Sequence, residues 1–293
     1  MRRIGLGTVQ FGMDYGISNN DGLTPAAEVQ SILGEAADMG IRMIDTAAIY
    51  GESEAVLGRS VPERHEFQIV TKTAPIEHGE IRRVDADRLR DTFYRSLELL
   101  GQSKVYGLLV HKADNLLADD NRYLWNELCN LRDDRVVDKI GVSVYTAAQI
   151  DGVLDRFDIN LVQLPLNVFD QRLLRSGHLQ KLKDCAVEIH VRSAFLQGLL
   201  LMKPEDLPVG LKRARPFLSK YNSELDLAGV RSIEAALDFV LSVPQIDRVI
   251  VGVCNVSQLM DIRDAVRTVG QHYLDYADFA VNDELILNPA KWE

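Results

Sequence analysis

Four side chains suited to acting on a carbonyl group stand at or just beyond the ends of apolar runs in this 293-residue chain: Asp45, Tyr50, Lys72 and His111. Reducing a carbonyl needs a hydride at carbon and a proton at oxygen. A phenol is a weak acid, with an ordinary pKa near 10, and a neighbouring ammonium makes it a better donor by stabilising the phenolate. Lys72 is the residue to supply that charge. A buried ammonium alone tends to shed its proton, so Asp45 is needed to keep Lys72 charged and in place. His111 would hydrogen-bond the carbonyl oxygen and orient it. General-acid help of this kind contributes about 10²–10⁴ in rate. Taken singly, each residue has a plainer use: Asp45 as a turn cap, Tyr50 as a rim aromatic, Lys72 as a chain reaching for solvent and His111 as a hydrogen-bonded core imidazole. The chemical reading depends on all four meeting.

The elements that must bring them together alternate along the chain. Short apolar runs predict strands at residues 4–8, 43–45, 68–72, 106–111, 139–143, 161–164, 188–192 and 248–252. Helical periodicity fills the intervals. A first helix begins near Pro25, with Thr24 as its expected N-cap and Gly40 as its end. Others are expected at 53–59, 86–100, 121–131, 147–157, 178–185, 232–243 and 257–269. Strands interleaved with helices pair in parallel, with the helices outside. An open doubly wound sheet would carry Gly-x-Gly-x-x-Gly after its first strand. Here Gly5-Leu6-Gly7-Thr8-Val9-Gln10 lacks the third glycine. The fold expected is therefore one (β/α)8 barrel over residues 1–293, with its active site at the C-terminal strand ends. Residues 198–231 break the alternation and read as a lid or a solvated surface excursion.

The segment Asp45-Thr46-Ala47-Ala48-Ile49-Tyr50-Gly51-Glu52-Ser53-Glu54, followed by Leu57-Gly58, resembles the first signature of the aldo-keto reductases. Gly5-Leu6-Gly7-Thr8 is similar to that family's opening strand. Val70-Thr71-Lys72 and Leu109-Val110-His111 match the strand ends bearing its lysine and histidine. The resemblance implies a catalytic tetrad of Tyr50, Asp45, Lys72 and His111, and a nicotinamide cofactor lying across the barrel top. It assigns Ser143 and Gln163 to the carboxamide, with Thr8 and Asp45 beside the cofactor. It assigns Arg192, Ser193, Leu196, Gln197 and Gly198 to the strand-seven segment that cradles the pyrophosphate, and Gly252, Asn255 and Gln258 to the loop after strand eight. Many members have an aromatic residue where Arg192 stands, and a basic residue in the last loop where this chain has none. The family implies NADP(H), with NAD(H) as the alternative. Many members also begin with a hairpin that plugs the barrel bottom. This chain starts almost at strand one, so its bottom must be closed otherwise.

Phe11, Met13, Asp14 and Tyr15 follow strand one and are expected to line the substrate pocket with Tyr50, His111 and Asn167, flanked by Phe169 and Lys203. The polar members point to a sugar or keto-sugar carbonyl as substrate. Two other functions compete: a redox-sensing nicotinamide-binding subunit without turnover, and an aldolase using Lys72 as a Schiff base. A net charge of −10, from 33 basic and 43 acidic residues, disfavours nucleic acid as a partner. No run reaches the roughly 18 apolar residues of a membrane span, and no signal peptide is recognised, so a cytoplasmic protein is expected. Cys129, Cys185 and Cys254 show no metal-ligand or disulfide spacing and read as core fillers, and no metal is expected.

Overall fold

The computed structural model describes residues 1–292 apart from 20, 21, 62–65 and 79. Its centre is a closed barrel of parallel strands in sequential order. The strands are β1 (Ile4–Gly7), β2 (Met43–Asp45), β3 (Gln68–Lys72), β4 (Val105–Val110), β5 (Val137–Ser143), β6 (Leu161–Pro165), β7 (Glu188–Arg192) and β8 (Arg248–Gly252). β1 closes the ring against β8, with Gly7 opposite Gly252. The outward residues of these strands, such as Leu6, Ile44, Ile140, Val162 and Val191, pack under the helices in one apolar layer. Inward residues form a second cluster of Met43, Val70, Leu109, Leu161 and Ile250. Two separate clusters are what a barrel requires, because successive strand side chains alternate between its inside and outside.

The covering helices are α1 (Ala26–Asp38), α2 (Ser53–Ser60), α3 (Arg83–Leu100), α4 (Arg122–Asp133), α5 (Ala147–Leu154), α6 (His178–Asp184), α7 (Arg215–Ala228), α8 (Ser232–Ser242) and α9 (Val256–Val266). In α3, Leu89, Phe93, Leu97 and Leu100 bury one stripe. Gly101 ends it with φ +63, a left-handed turn that glycine adopts without a side-chain clash. α7 lies within 198–231, the stretch expected as a lid or a solvated excursion. After short 3-10 turns the chain forms a 14-residue helix whose Leu218, Tyr221 and Leu225 are buried. Thr24 does not cap α1: Pro25 holds the cap position, and the Thr24 hydroxyl is buried without a partner among the described residues. Of the cysteines expected to fill the core, half-buried Cys129 packs against it, while Cys254 is half-buried and Cys185 is exposed. Among the described residues, no helix is long and apolar enough to cross a membrane.

The N-terminal mouth of the barrel holds a polar cluster. Glu188 accepts hydrogen bonds from the Tyr106 hydroxyl and the Lys139 ammonium, and lies 2.8 Å from His190 Nε2. Despite partial burial, these partners hold the Glu188 carboxyl far below its ordinary range. Arg3 ties the start of β1 to the end of α8 and the turn beyond it, donating to the carbonyls of Leu241, Val243 and Ile246 at 2.6–3.0 Å. Strand side chains thus form a hydrogen-bonded polar cluster at this mouth.

Candidate active site

The C-terminal strand ends bring Asp45, Tyr50, Lys72 and His111 to one mouth. Asp45 ends β2 and Lys72 ends β3, while His111 directly follows β4. Lys72 is only 1% exposed. Its ammonium donates to Asp45 Oδ1 at 2.6 Å and to the Thr46 carbonyl at 2.9 Å. Asp45 Oδ2 accepts from Gln163 Nε2 at 2.7 Å, so both carboxylate oxygens are occupied. Burial on its own would lower the Lys72 pKa. Asp45 and Tyr50 outweigh it and raise the value above that of an ordinary lysine.

The Tyr50 ring lies 5.1 Å from the Lys72 ammonium and meets the His111 ring edge-on, 5.9 Å between centroids. Its turn is fixed from both sides. The Tyr50 N–H donates to the Ala47 carbonyl, and the Tyr50 carbonyl accepts from Ser53 N, each at 3.0 Å. The Ser53 hydroxyl donates to the Thr8 carbonyl at 2.8 Å. Gly12 passes so close beneath that a Cβ there would fall 1.9 Å from the Tyr50 carbonyl oxygen. His111 anchors its backbone N–H on the Thr73 hydroxyl at 3.3 Å. Burial, reinforced by the Lys72 charge, lowers its pKa from 6.5 to about 4. The imidazole is therefore neutral at pH 7, with Nδ1 buried and unpartnered among the described residues.

These groups open into a cavity of about 470 Å³ that crosses the barrel top to β8 and α9. Of the residues expected around a cofactor, Thr8, Asp45, Ser143, Gln163, Arg192, Ser193, Gln197, Gly198, Gly252 and Gln258 line it. Leu196 and Asn255 do not. Leu196 turns into the apolar layer at 1% exposure. Asn255 caps α9, its side chain accepting from Gln258 N. Ser193, Leu196 and Gln197 all have φ between 48° and 60°, a left-handed conformation costing about 1–2 kcal/mol per non-glycine residue. Their segment is held by the buried Leu196 side chain and by Gln197 Nε2 donating to the Tyr15 hydroxyl at 2.9 Å. Arg192 stacks on Tyr145 at 4.1 Å and donates to the Val144 carbonyl.

Tyr15, Tyr50 and His111 line the cavity, but the other six residues expected on the substrate side do not. Phe11 is 1% exposed within the apolar layer, because the chain after β1 coils into a helical turn that points it inward. Met13 and Asp14 lie outside the cavity on the exposed loop after that turn. Asn167 is fully buried and organises its own turn, accepting from Phe169 N and Asp170 N and donating to the Ser193 carbonyl. Phe169 is likewise in the core, and Lys203 lies outside the cavity. The wall instead includes Gln10, Ser18, Asn19, Tyr145 and Asp261. Tyr145 lies two residues past a strand end that was already singled out. Asp261 lies three residues after Gln258 and so on the same helix face.

The aldo/keto reductase family model matches residues 3–278, and the chain belongs to that family. An aldo-keto reductase of Mycobacterium sp. (strain MCS) is 33% identical over 135 residues, covering 44% of each chain. D-arabinose 1-dehydrogenase of Saccharomyces cerevisiae is 26% identical over 182 residues, covering 54% of each. This chain thus spans about half the length of these curated relatives. An aldo-keto reductase from Bacillus halodurans, solved in its holo form, shares the fold with a TM-score of 0.74 at 18% identity, over 97% of this chain and 95% of the other.

Proposed function

We propose that the chain, acting as one barrel unit, is an NAD(P)H-dependent reductase of aldehydes or ketones, with Tyr50 as general acid. The arrangement of Lys72 supports this most strongly: a buried ammonium, 2.6 Å from Asp45, lying 5.1 Å from the ring of a tyrosine that faces a cavity. A nicotinamide dinucleotide bound along that cavity supplies the hydride. Ser143 and Gln163 offer hydroxyl and amide groups for its carboxamide, an amide needing both donor and acceptor partners. The neutral His111 holds the carbonyl oxygen beside the Tyr50 hydroxyl. As that oxygen gains charge, Tyr50 gives up its proton and the fixed Lys72 ammonium stabilises the phenolate left behind. Asp45 keeps Lys72 in place and does not itself move a proton.

A raised Lys72 pKa opposes the Schiff-base alternative, which needs a neutral amine. The polar wall of Tyr15, Ser18, Asn19 and Gln197 suits a hydroxylated carbonyl, a sugar or keto-sugar derivative. The sugar dehydrogenase among the relatives agrees with that class. Tyr50→Phe tests the mechanism. Turnover of a carbonyl panel, followed by loss of reduced-nicotinamide absorbance, is expected to fall by about 10²–10⁴ while cofactor Kd stays nearly constant. Full activity in the variant refutes the assignment. Tight cofactor binding by the wild type without turnover of any carbonyl favours the sensing subunit.

A further inference from the structure

The half of the cavity away from Tyr50 is walled by Gly252, Val253, Cys254, Gln258, Asp261 and Ile262, from the end of β8 and the first turns of α9. A dinucleotide whose nicotinamide ring reaches Tyr50 must place its adenosine ribose there. Among the described residues no lysine lines the cavity, and its one arginine, Arg192, stacks on Tyr145 at the tetrad end.

A 2′-phosphate needs cationic donors or free backbone N–H groups. Among the described residues the start of α9 turns no cationic side chain to the cavity, and three backbone N–H groups there already have acceptors. Val256 N donates to the Glu28 carboxylate of α1 at 2.7 Å. Gln258 N donates to Asn255 Oδ1 at 2.9 Å, and Cys254 N to Gln258 Oε1 at 2.8 Å. The charge that is present has the wrong sign. Asp261 faces the cavity, and its nearby guanidinium, Arg231 at 3.9 Å, is also held by Glu234 at 3.0 Å. Among the described residues Asp261 is thus the one charged side chain lining this lobe, with Glu28 behind it on Val256 N and Glu234 sharing Arg231. A carboxylate accepts from a ribose hydroxyl and repels a phosphate.

We infer that this site takes the unphosphorylated dinucleotide, NAD(H), and that Glu28 and Asp261 exclude the 2′-phosphate of NADP(H). The inference rests on the cavity being the nucleotide site of the reductase proposed above. It replaces the NADP(H) expected from the family resemblance.

Direct titration of the full chain with NADH and with NADPH, read by protein fluorescence quenching, tests it without any carbonyl substrate. NADH is expected to bind at least about tenfold tighter, with the gap narrowing as salt screens the carboxylates. In the double variant Glu28→Gln/Asp261→Asn the gap is expected to shrink at least about fivefold through tighter NADPH binding, the amide oxygen at position 28 still accepting from Val256 N as the Glu28 carboxylate does. Equal or tighter NADPH binding by the wild type overturns the preference and leaves the reductase reading standing. An unchanged gap in the double variant overturns the roles of Glu28 and Asp261. Binding of neither nucleotide overturns the reductase reading together with the preference.

Discussion

Removing the charges of Asp45 and Lys72 one at a time, and then together, separates what the pair does for folding from what it does for chemistry. Their side chains are 6% and 1% exposed, and the contact is 2.6 Å. Asp45→Asn leaves the Lys72 ammonium without a counter-charge, held by neutral oxygens such as the Thr46 carbonyl, in a place where burial already opposes its charge. Lys72→Met leaves the Asp45 carboxylate with only the Gln163 amide. Removing one member of a buried pair costs about 3–5 kcal/mol, because the other stays behind uncompensated. The double variant buries neither charge, and Met fills much of the lysine's volume. Its loss is expected to be about 2–3 kcal/mol, well short of the summed single losses. The coupling is then at least about 3 kcal/mol, far above the roughly 0.5 kcal/mol within which independent sites add. Urea unfolding of the four proteins at pH 7 measures it. Additive losses would mean that the pair is not a unit and that Asp45 does not hold the Lys72 charge. Turnover completes the test: the double variant should be folded yet slowed as severely as Lys72→Met, since rescuing stability restores no ammonium beside Tyr50.

His111 gives a pH signature. Its pKa falls from 6.5 to about 4 on folding, so the unfolded chain binds the extra proton in that window. The stability it contributes is fully present above pH 6.5 and is lost as pH falls through that value towards 4, a loss of about 3 kcal/mol. His111→Gln should flatten the dependence of the urea midpoint on pH in that interval, and an unchanged slope contradicts the buried neutral imidazole. Asn167→Ala should destabilise by about 2–4 kcal/mol, because two buried backbone N–H groups lose their acceptor. The KM for the best carbonyl should stay within about threefold; a large KM change with full stability would return Asn167 to the substrate wall.

The strands were largely legible in the chain because each is a short apolar run with its own bounding turn. Four of the eight boundaries are as expected and the others shift by one or two residues, as β4 does from 106–111 to Val105–Val110. α7 escaped because its first turn carries Pro216 and Arg215, which read as an irregular stretch. The apolar spacing of Leu218, Tyr221 and Leu225 was nevertheless there to be found. The meeting of Asp45, Tyr50, Lys72 and His111 was legible because these residue types are rare together at consecutive strand ends. Sequence position misled at Phe11, Leu196 and Asn167, each a few residues past a strand end yet turned into the interior.

By itself, then, the sequence determined the alternation of elements, the barrel class and the chemical types at the strand ends, all of which follow from local periodicity and residue identity. Only the tertiary structure decided which neighbours of those ends face the cavity and which face the core. That depends on backbone dihedrals set by packing, such as the left-handed turn at Leu196 and Gln197. It also decided the charge of the distal lobe, because Glu28 and Asp261 are 233 residues apart in the chain. Glu28 meets the start of α9 only when β8 closes against β1 and α1 packs beside α9.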